Sequence, residues 1–203
     1  MTAERHLVVF VRAPRLGTVK RRLARDVGPV AAWRFYRTTS AALLRRLGCA
    51  RRWRCWVAVT PDRAATAGRG TWPHPWRPIP QGGGDLGARM GRVLAGLPSG
   101  PVVIVGSDIP DIGPGHVAAA FCGLGGHDWV IGPASDGGYW LIGARRRPSL
   151  RLPFAGVRWG GPHARADTLA GLGGLRVAEL AELSDIDSGA DLARWRAGKN
   201  RSR

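Results

Sequence analysis

This 203-residue sequence predicts an α/β fold with a mostly parallel central sheet flanked by helices, and three observations carry the prediction. Its apolar stretches are short and unbroken, and Val102 to Val105 is three valines and an isoleucine in a row. A run of that length and β-branched content reads as a strand buried on both faces, as in a parallel sheet. Such strands alternate with helix-length segments. No internal repeat and no linker divides the chain, so residues 1–197 read as one domain, followed by a polar tail at 198–203.

In order, His6 to Arg12 is the first buried strand, followed by a loop containing Pro14 and Gly17. Val30 to Leu47 reads as an amphipathic helix. Ala31, Phe35, Leu43, Leu44 and Leu47 supply its apolar stripe, and Arg34, Arg37, Arg45 and Arg46 face outward. Trp53 to Thr60 is a second strand, and Pro61 to Pro80 is loop with at most one edge strand. The glycine-rich segment Gln81 to Gly87 runs into a helix ending at Leu97. Pro101 to Val105 is the central strand, and Pro110 and Pro114 bar its continuation and set up the turn into a helix over Gly115 to Leu124. Strands at Trp129 to Gly132 and Tyr139 to Ile142 precede a basic surface loop, Arg145 to Pro153. A helix at Pro162 to Leu172, a short strand at Leu175 to Ala178 and a closing helix at Ser188 to Arg196 complete the chain, with a frayed tail from Gly198.

The formal net charge is +17, from two lysines and 29 arginines spread along the chain. A basic surface suits nucleic acid or another polyanion. An Arg/Ala/Gly compositional bias is the favoured account, because no basic helix with interleaved aromatics singles out nucleic acid. In either case the field draws in anionic small molecules such as nucleotides. Cys49, Cys55 and Cys122 have no C-x-x-C spacing and read as buried free thiols in a reducing compartment. No apolar stretch approaches a membrane span and the N-terminus lacks a secretory pattern, so a cytoplasmic location is expected.

Chemistry concentrates at a few places. Ser107 and Asp108 follow the central strand, where open α/β sheets bind ligands, although Asp108 also suits a plain turn. Lys20 lies past the first strand in a chain that otherwise uses arginine. With Arg12, Arg21 and Arg22 it reads as a cradle for a di- or triphosphate, the alternative being an exposed lysine at a helix start. The loop is not a Walker motif, because G-x-x-x-x-G-K-[ST] is absent. Gly84 and Gly87 allow close approach of backbone to a nucleotide. Asp85 is an N-cap or a ligand contact, and Arg89 lies one turn on. Asp136, beside Gly137 and Gly138 and ahead of Tyr139, is either a turn or a carboxylate presented to substrate. Asp185 and Asp187 point the same way if extended, a plausible cation clasp, while Ser188 with Asp191 makes a capping box. Carboxylates at Asp108, Asp136, Asp185 and Asp187 suit Mg²⁺ or Mn²⁺ held partly by substrate phosphates, and no His/Cys cluster has zinc spacing.

Taken together, VRAPRLGTVKRRLARDVG, QGGGDLGARM, GSDIPDI, GPASDGGYWLIG and SDIDSGADL, in that order, resemble the DUF2064 family across residues 6 to about 195. The resemblance implies a GT-A-type, nucleotide-diphospho-sugar transferase fold, in a family associated in part with arsenosugar biosynthesis and similar in architecture to 2-phospholactate guanylyltransferases. It implies that Asp108 is the metal-binding carboxylate of a D-x-D-like element and that Lys20 and Arg22 contact nucleotide phosphates. Two positions depart from the family pattern. Arg12-Ala13-Pro14 stands where Lys-x-Pro is usual, keeping a cation. Arg21 stands where threonine is usual, losing a hydroxyl. The expected protein is a metal-dependent glycosyltransferase with a nucleotide-diphospho-sugar donor and a small-molecule acceptor. The nucleotide contacts are Arg12, Pro14, Gly17, Lys20, Arg22, Gly84, Asp85, Gly87, Arg89 and Ser107, and the metal ligands are Asp108, Asp185 and Asp187. Asp136 is the catalytic carboxylate, with Gly137, Gly138 and Tyr139 at the substrate. A guanylyltransferase-like nucleotidyltransferase taking a nucleoside triphosphate is the alternative enzyme, and a non-catalytic basic binding protein is the alternative of another class.

Overall fold

The structure, a computed structural model, describes residues 3–50, 52–66, 72–146 and 150–201. Strands β1 (His6–Arg12), β2 (Arg54–Thr60), β3 (Arg77–Pro80), β4 (Val102–Gly106), β5 (Trp129–Pro133), β6 (Tyr139–Ala144) and β7 (Val177–Glu179) form one sheet, in the order β3-β2-β1-β4-β6-β5-β7. β1 pairs in parallel with both β2 and β4, β3 with β2, and β7 with β5, while β6 runs antiparallel between β4 and β5. The sheet is therefore mostly parallel, and the central apolar run Val102–Val105 is fully interior.

Helices α1 (Arg21–Val27), α2 (Pro29–Gly48), α3 (Leu86–Gly96), α4 (Pro114–Gly126), α5 (Ala164–Gly171) and α6 (Gly189–Arg201) connect and cover the strands. β1 shows why both faces need cover. Leu7, Val9 and Val11 pack with Leu43, Leu44 and Leu47 of α2 and Phe121 of α4, while Val8 and Phe10 turn to Met90 and Leu94 of α3. A third cluster, Leu23, Ala32, Ile186 and Leu192, ties α1, α2 and α6 together beside the sheet.

Several elements differ from the sequence reading. The buried stripe of α2 is Ala32, Tyr36, Ser40, Leu43, Leu44 and Leu47, and Ala31 is exposed. Arg46 does not face outward: its guanidinium donates to the carbonyls of Ile112, at 2.8 Å, and Pro110, at 2.5 Å, closing the turn after β4. Of the three thiols only Cys55 is buried, and burial pushes it up to about 11. Cys122 lies mid-helix on the exposed face of α4. The last strand starts later than Leu175, because Leu172 to Leu175 closes a turn. The tail from Gly198 continues as helix to Arg201. α6 is capped by Ser188 and Asp191, its Trp195 indole donates to Asp111 at 3.0 Å, and Lys199 sits 4.2 Å from the Trp195 ring. Residues 202–203 of that tail, and 147–149 of the basic loop, lie outside the described residues. Among the described residues no helix is long and apolar enough to cross a membrane.

Candidate active site

The chain leaves β1 for β2 on one side, and β4 lies on the other. Their carboxyl ends thus open a crevice at a topological switch point, where ligands bind in open α/β sheets. A cavity of about 700 Å³ lies there. Arg12, at the end of β1, and Ser107 and Asp108, past the end of β4, form its floor. Because β6 is antiparallel, its amino end reaches the same edge and brings Asp136, Gly138 and Tyr139 to the wall. Asp185 and Asp187, between β7 and α6, and Arg22, on α1, close the rim.

Lys20 sits behind that wall. It is at a helix start, the N-cap of α1, but its side chain is only 5% exposed. Its ammonium donates to Asp187 at 2.9 Å and lies 3.3 Å from Asp108. Burial alone would depress this ammonium, but the charges of Asp108 and Asp187 outweigh it and hold Lys20 above its ordinary value. Arg22 reaches the other oxygen of Asp187 at 3.3 Å from a largely exposed position, and Arg12 donates to the Thr18 carbonyl at 3.2 Å.

Sequence reasoning missed Tyr36. Its buried hydroxyl accepts from the Arg12 backbone N–H at 2.9 Å, lies 3.0 Å from the Arg12 carbonyl and 3.1 Å from the Ser107 hydroxyl. It ties the ends of β1 and β4 together beneath the cavity. Burial, reinforced by Asp108, pushes the phenol up to about 12, so it stays protonated. Trp159, Gly160 and Gly161 were also missed. They complete the wall of the cavity, where the Trp159 ring meets Tyr139 edge to face at 6.3 Å. Nothing in the local pattern around Arg158-Trp159-Gly160-Gly161 marks that role, because the segment forms no regular element.

The Asp136 turn lies at the cavity. One Asp136 oxygen accepts from Gly138 N–H at 2.9 Å, and the carboxylate remains exposed at the cavity. Gly137 has φ +83°, and a Cβ there would strike the Pro162 backbone, so this position requires glycine. Asp185 is half-buried. Burial and then the charge of Asp187, with a contribution from Asp136, raise its carboxyl above the ordinary value. Asp191 caps α6 by accepting from Ser188 N–H and Oγ, and that cap coexists with the carboxylates of Asp185 and Asp187 at the cavity.

The remaining candidates stand off the wall. Pro14 and Gly17 lie in the exposed loop after β1, where the Pro14 carbonyl accepts from Trp33. Asp85 caps α3 through Ala88 N–H at 2.8 Å, and Arg89 donates to the Gly84 carbonyl at 2.9 Å. Gly87 is buried against Phe154 and Trp159, leaving Leu86 as the member of this segment that lines the cavity.

Among the described residues no three His, Cys, Asp or Glu side chains converge tightly enough to cage a metal ion. The donor chemistry nevertheless fits a hard divalent ion that takes its remaining ligands from phosphates: Asp108 at the floor and Asp185 and Asp187 at the rim are oxygen donors to one cavity.

Comparison with solved structures gives 76 matching chains. A protein from Desulfovibrio desulfuricans G20, provisionally named a nucleotide-diphospho-sugar transferase, is 32% identical over 98% of this chain and 89% of its own, with a TM-score of 0.85. A nucleotidyl transferase from Methanothermobacter is 16% identical over 98% of this chain and 99% of its own, with a TM-score of 0.60. Glucosyl-3-phosphoglycerate synthase from Mycobacterium tuberculosis, solved with Mn²⁺, UDP and glucosyl-3-phosphoglycerate, is 16% identical over 94% of this chain and 75% of its own, with a TM-score of 0.55. The last two likenesses concern the fold alone. A search of curated proteins returned no match. The profile of DUF2064, described as an uncharacterized protein conserved in bacteria, matches residues 43–161, and the Desulfovibrio likeness extends over the segments holding Lys20 and Asp187 as well. With more than half its length under that profile, the chain belongs to the DUF2064 family and has the nucleotide-diphospho-sugar transferase fold.

Proposed function

We propose that this protein is a divalent-cation-assisted glycosyltransferase that moves a sugar from a nucleotide-diphospho-sugar to a small-molecule acceptor. The observation that carries the reading is the rim itself: Asp108, Asp185 and Asp187 beside Lys20, Arg12 and Arg22 at the switch point of the sheet. Carboxylates and cations interleaved at one edge suit a metal–diphosphate pair, with Arg12 and Arg22 binding phosphate oxygens end-on or bidentately. Ser107, set by Tyr36, offers a hydroxyl at the floor. A bound Mg²⁺ or Mn²⁺ supplies Lewis-acid neutralisation of the leaving diphosphate.

The bond between the sugar's anomeric carbon and the diphosphate oxygen breaks, and its electron pair leaves with the nucleoside diphosphate. The acceptor oxygen bonds to that carbon, and Asp136, exposed at the cavity, takes the acceptor's proton. Tyr139 and Trp159 offer an aromatic face to an apolar sugar surface. Glycosyl transfer is preferred to nucleotidyl transfer because the loop from Ala13 to Thr18 holds one glycine, Gly17, and not the glycine-rich signature that wraps a triphosphate.

The test is product analysis by mass spectrometry. Incubation with a panel of nucleotide sugars and Mn²⁺ is expected to give slow acceptor-independent release of a nucleoside diphosphate from one of them. No pyrophosphate should appear from the four nucleoside triphosphates with phosphorylated acceptors. A pyrophosphate burst with a nucleotidylated product would replace this reading by nucleotidyl transfer.

A further inference from the structure

We infer that Lys20 is the cleft's built-in counter-cation: its ammonium holds Asp108 and Asp187 together when no divalent ion is bound and is exchanged out when one binds. The cation half of this statement rests on the functional reading above. Three independent features support it. The Lys20 ammonium contacts one oxygen of each carboxylate, at 3.3 and 2.9 Å, the position a divalent ion bridging the two would contest. Lys20 also adopts φ +46°, a left-handed conformation that is uncommon for a residue other than glycine. Finally, the chain carries 29 arginines and two lysines, and one of the two stands here.

The choice of lysine follows from the exchange. A guanidinium would grip a carboxylate through a planar, bidentate fork. An ammonium is a compact point charge on a flexible stem, able to leave the pair and swing to a phosphate oxygen. Without it, Asp108 and Asp187, with Asp185 beside them, would face one another, and Asp187 would keep the exposed Arg22 as its partner. Lys20 is therefore a positioning residue that sets cation affinity, and it becomes a phosphate contact only after exchange.

Two measurements made without nucleotide test this. Calorimetric titration of Mn²⁺ is expected to show binding at least about tenfold tighter in Lys20→Met than in the unaltered protein, because the resident competitor is gone, and weaker binding in Lys20→Arg. The second measurement needs no variant. Acylation by an amine-reactive ester, followed by peptide mass spectrometry, compares Lys20 with Lys199, which serves as the internal reference. Saturating Mg²⁺ should accelerate Lys20 labelling severalfold and leave Lys199 unchanged. If Mn²⁺ binds the unaltered protein and Lys20→Met with equal affinity, or Mg²⁺ leaves the Lys20 rate unchanged although it binds, the exchange is wrong and the functional reading stands. If neither protein binds a divalent ion, the cation-assisted reading falls and the exchange falls with it.

Discussion

Asp108 stands in the open, with 55% of its side chain exposed. Asp108→Asn keeps the shape and removes the charge that a cation and Lys20 share. The expected result is an unchanged far-UV spectrum and loss of Mn²⁺-dependent nucleotide binding by calorimetry. Retained metal-dependent affinity would return Asp108 to a turn residue. Tyr36 is the opposite case, buried and fully engaged. Tyr36→Phe leaves the Arg12 N–H and the Ser107 hydroxyl short of a partner, a cost of about 1–3 kcal/mol. A denaturant midpoint unchanged from the parent would show that neither group depends on the phenol. Lys20 and Asp108 were legible from sequence because their types and positions relative to strand ends carry the signal. Tyr36 was not: its partner Ser107 is 71 residues away, and the apolar stripe of α2 reads one residue out of phase when Phe35 is taken as the inward ring. The pairing of Lys20 with Asp187 spans 167 residues and was equally invisible.

The elements that build the site were legible to within a few residues, because β1 and β4 are valine-rich runs buried on both faces and the loops that follow them carry Pro or Gly. Three features were not. The direction of β6 depends on a turn at Asp136 to Gly138 that folds the chain back onto β5, and local pattern does not distinguish that from a crossover. The wall contributed by Trp159 comes from irregular chain. α6 runs through the polar tail to Arg201, and its Trp195 docks on Asp111, a tertiary contact that polar composition does not reveal. The Asp136 turn makes a sharp prediction. Gly137→Ala puts a Cβ at φ +83° and against the Pro162 backbone, so both strain and collision oppose it. A loss of about 1–3 kcal/mol is expected, with a Tm lower by several degrees, roughly 2–4 °C per kcal/mol for a chain of this size. An unshifted Tm would mean the turn relaxes at no cost and that glycine is not required there.

At the scale of the whole molecule, the charge of +17 surrounds a cleft that concentrates carboxylates, so global field and local site have opposite signs. The field assists encounter with anionic nucleotides, and the carboxylate rim reserves a place for a cation between them. Stability has its own titrating group, far from the cleft. His6 begins β1 at the amino end of the sheet, fully buried, with one ring nitrogen 3.2 Å from the Ser99 carbonyl and the other accepting from the Trp56 indole at 3.2 Å. Burial lowers its tendency to protonate, and neighbouring Arg146 and Arg54 add to this, against the Ser99 contact and Glu4. A histidine whose folded value lies below its unfolded value, about 6.5, stabilises the fold above that pH. That contribution is lost as pH falls from about 6.5 through the folded value, because the unfolded chain takes up the proton first. Carboxylates act at lower pH and in both directions. Asp191, held down first by its bond from Ser188, loses stabilisation toward acid, whereas the raised Asp185 gains it. The first decline in stability on acidification therefore belongs to His6. Equilibrium denaturation at a series of pH values should show that decline beginning near pH 6.5. In His6→Gln, which keeps a donor for Ser99 and an acceptor for Trp56 without titrating, the slope between about pH 6.5 and 5 should flatten while the lower limb remains. An identical slope in both proteins over that interval would remove His6 as its cause.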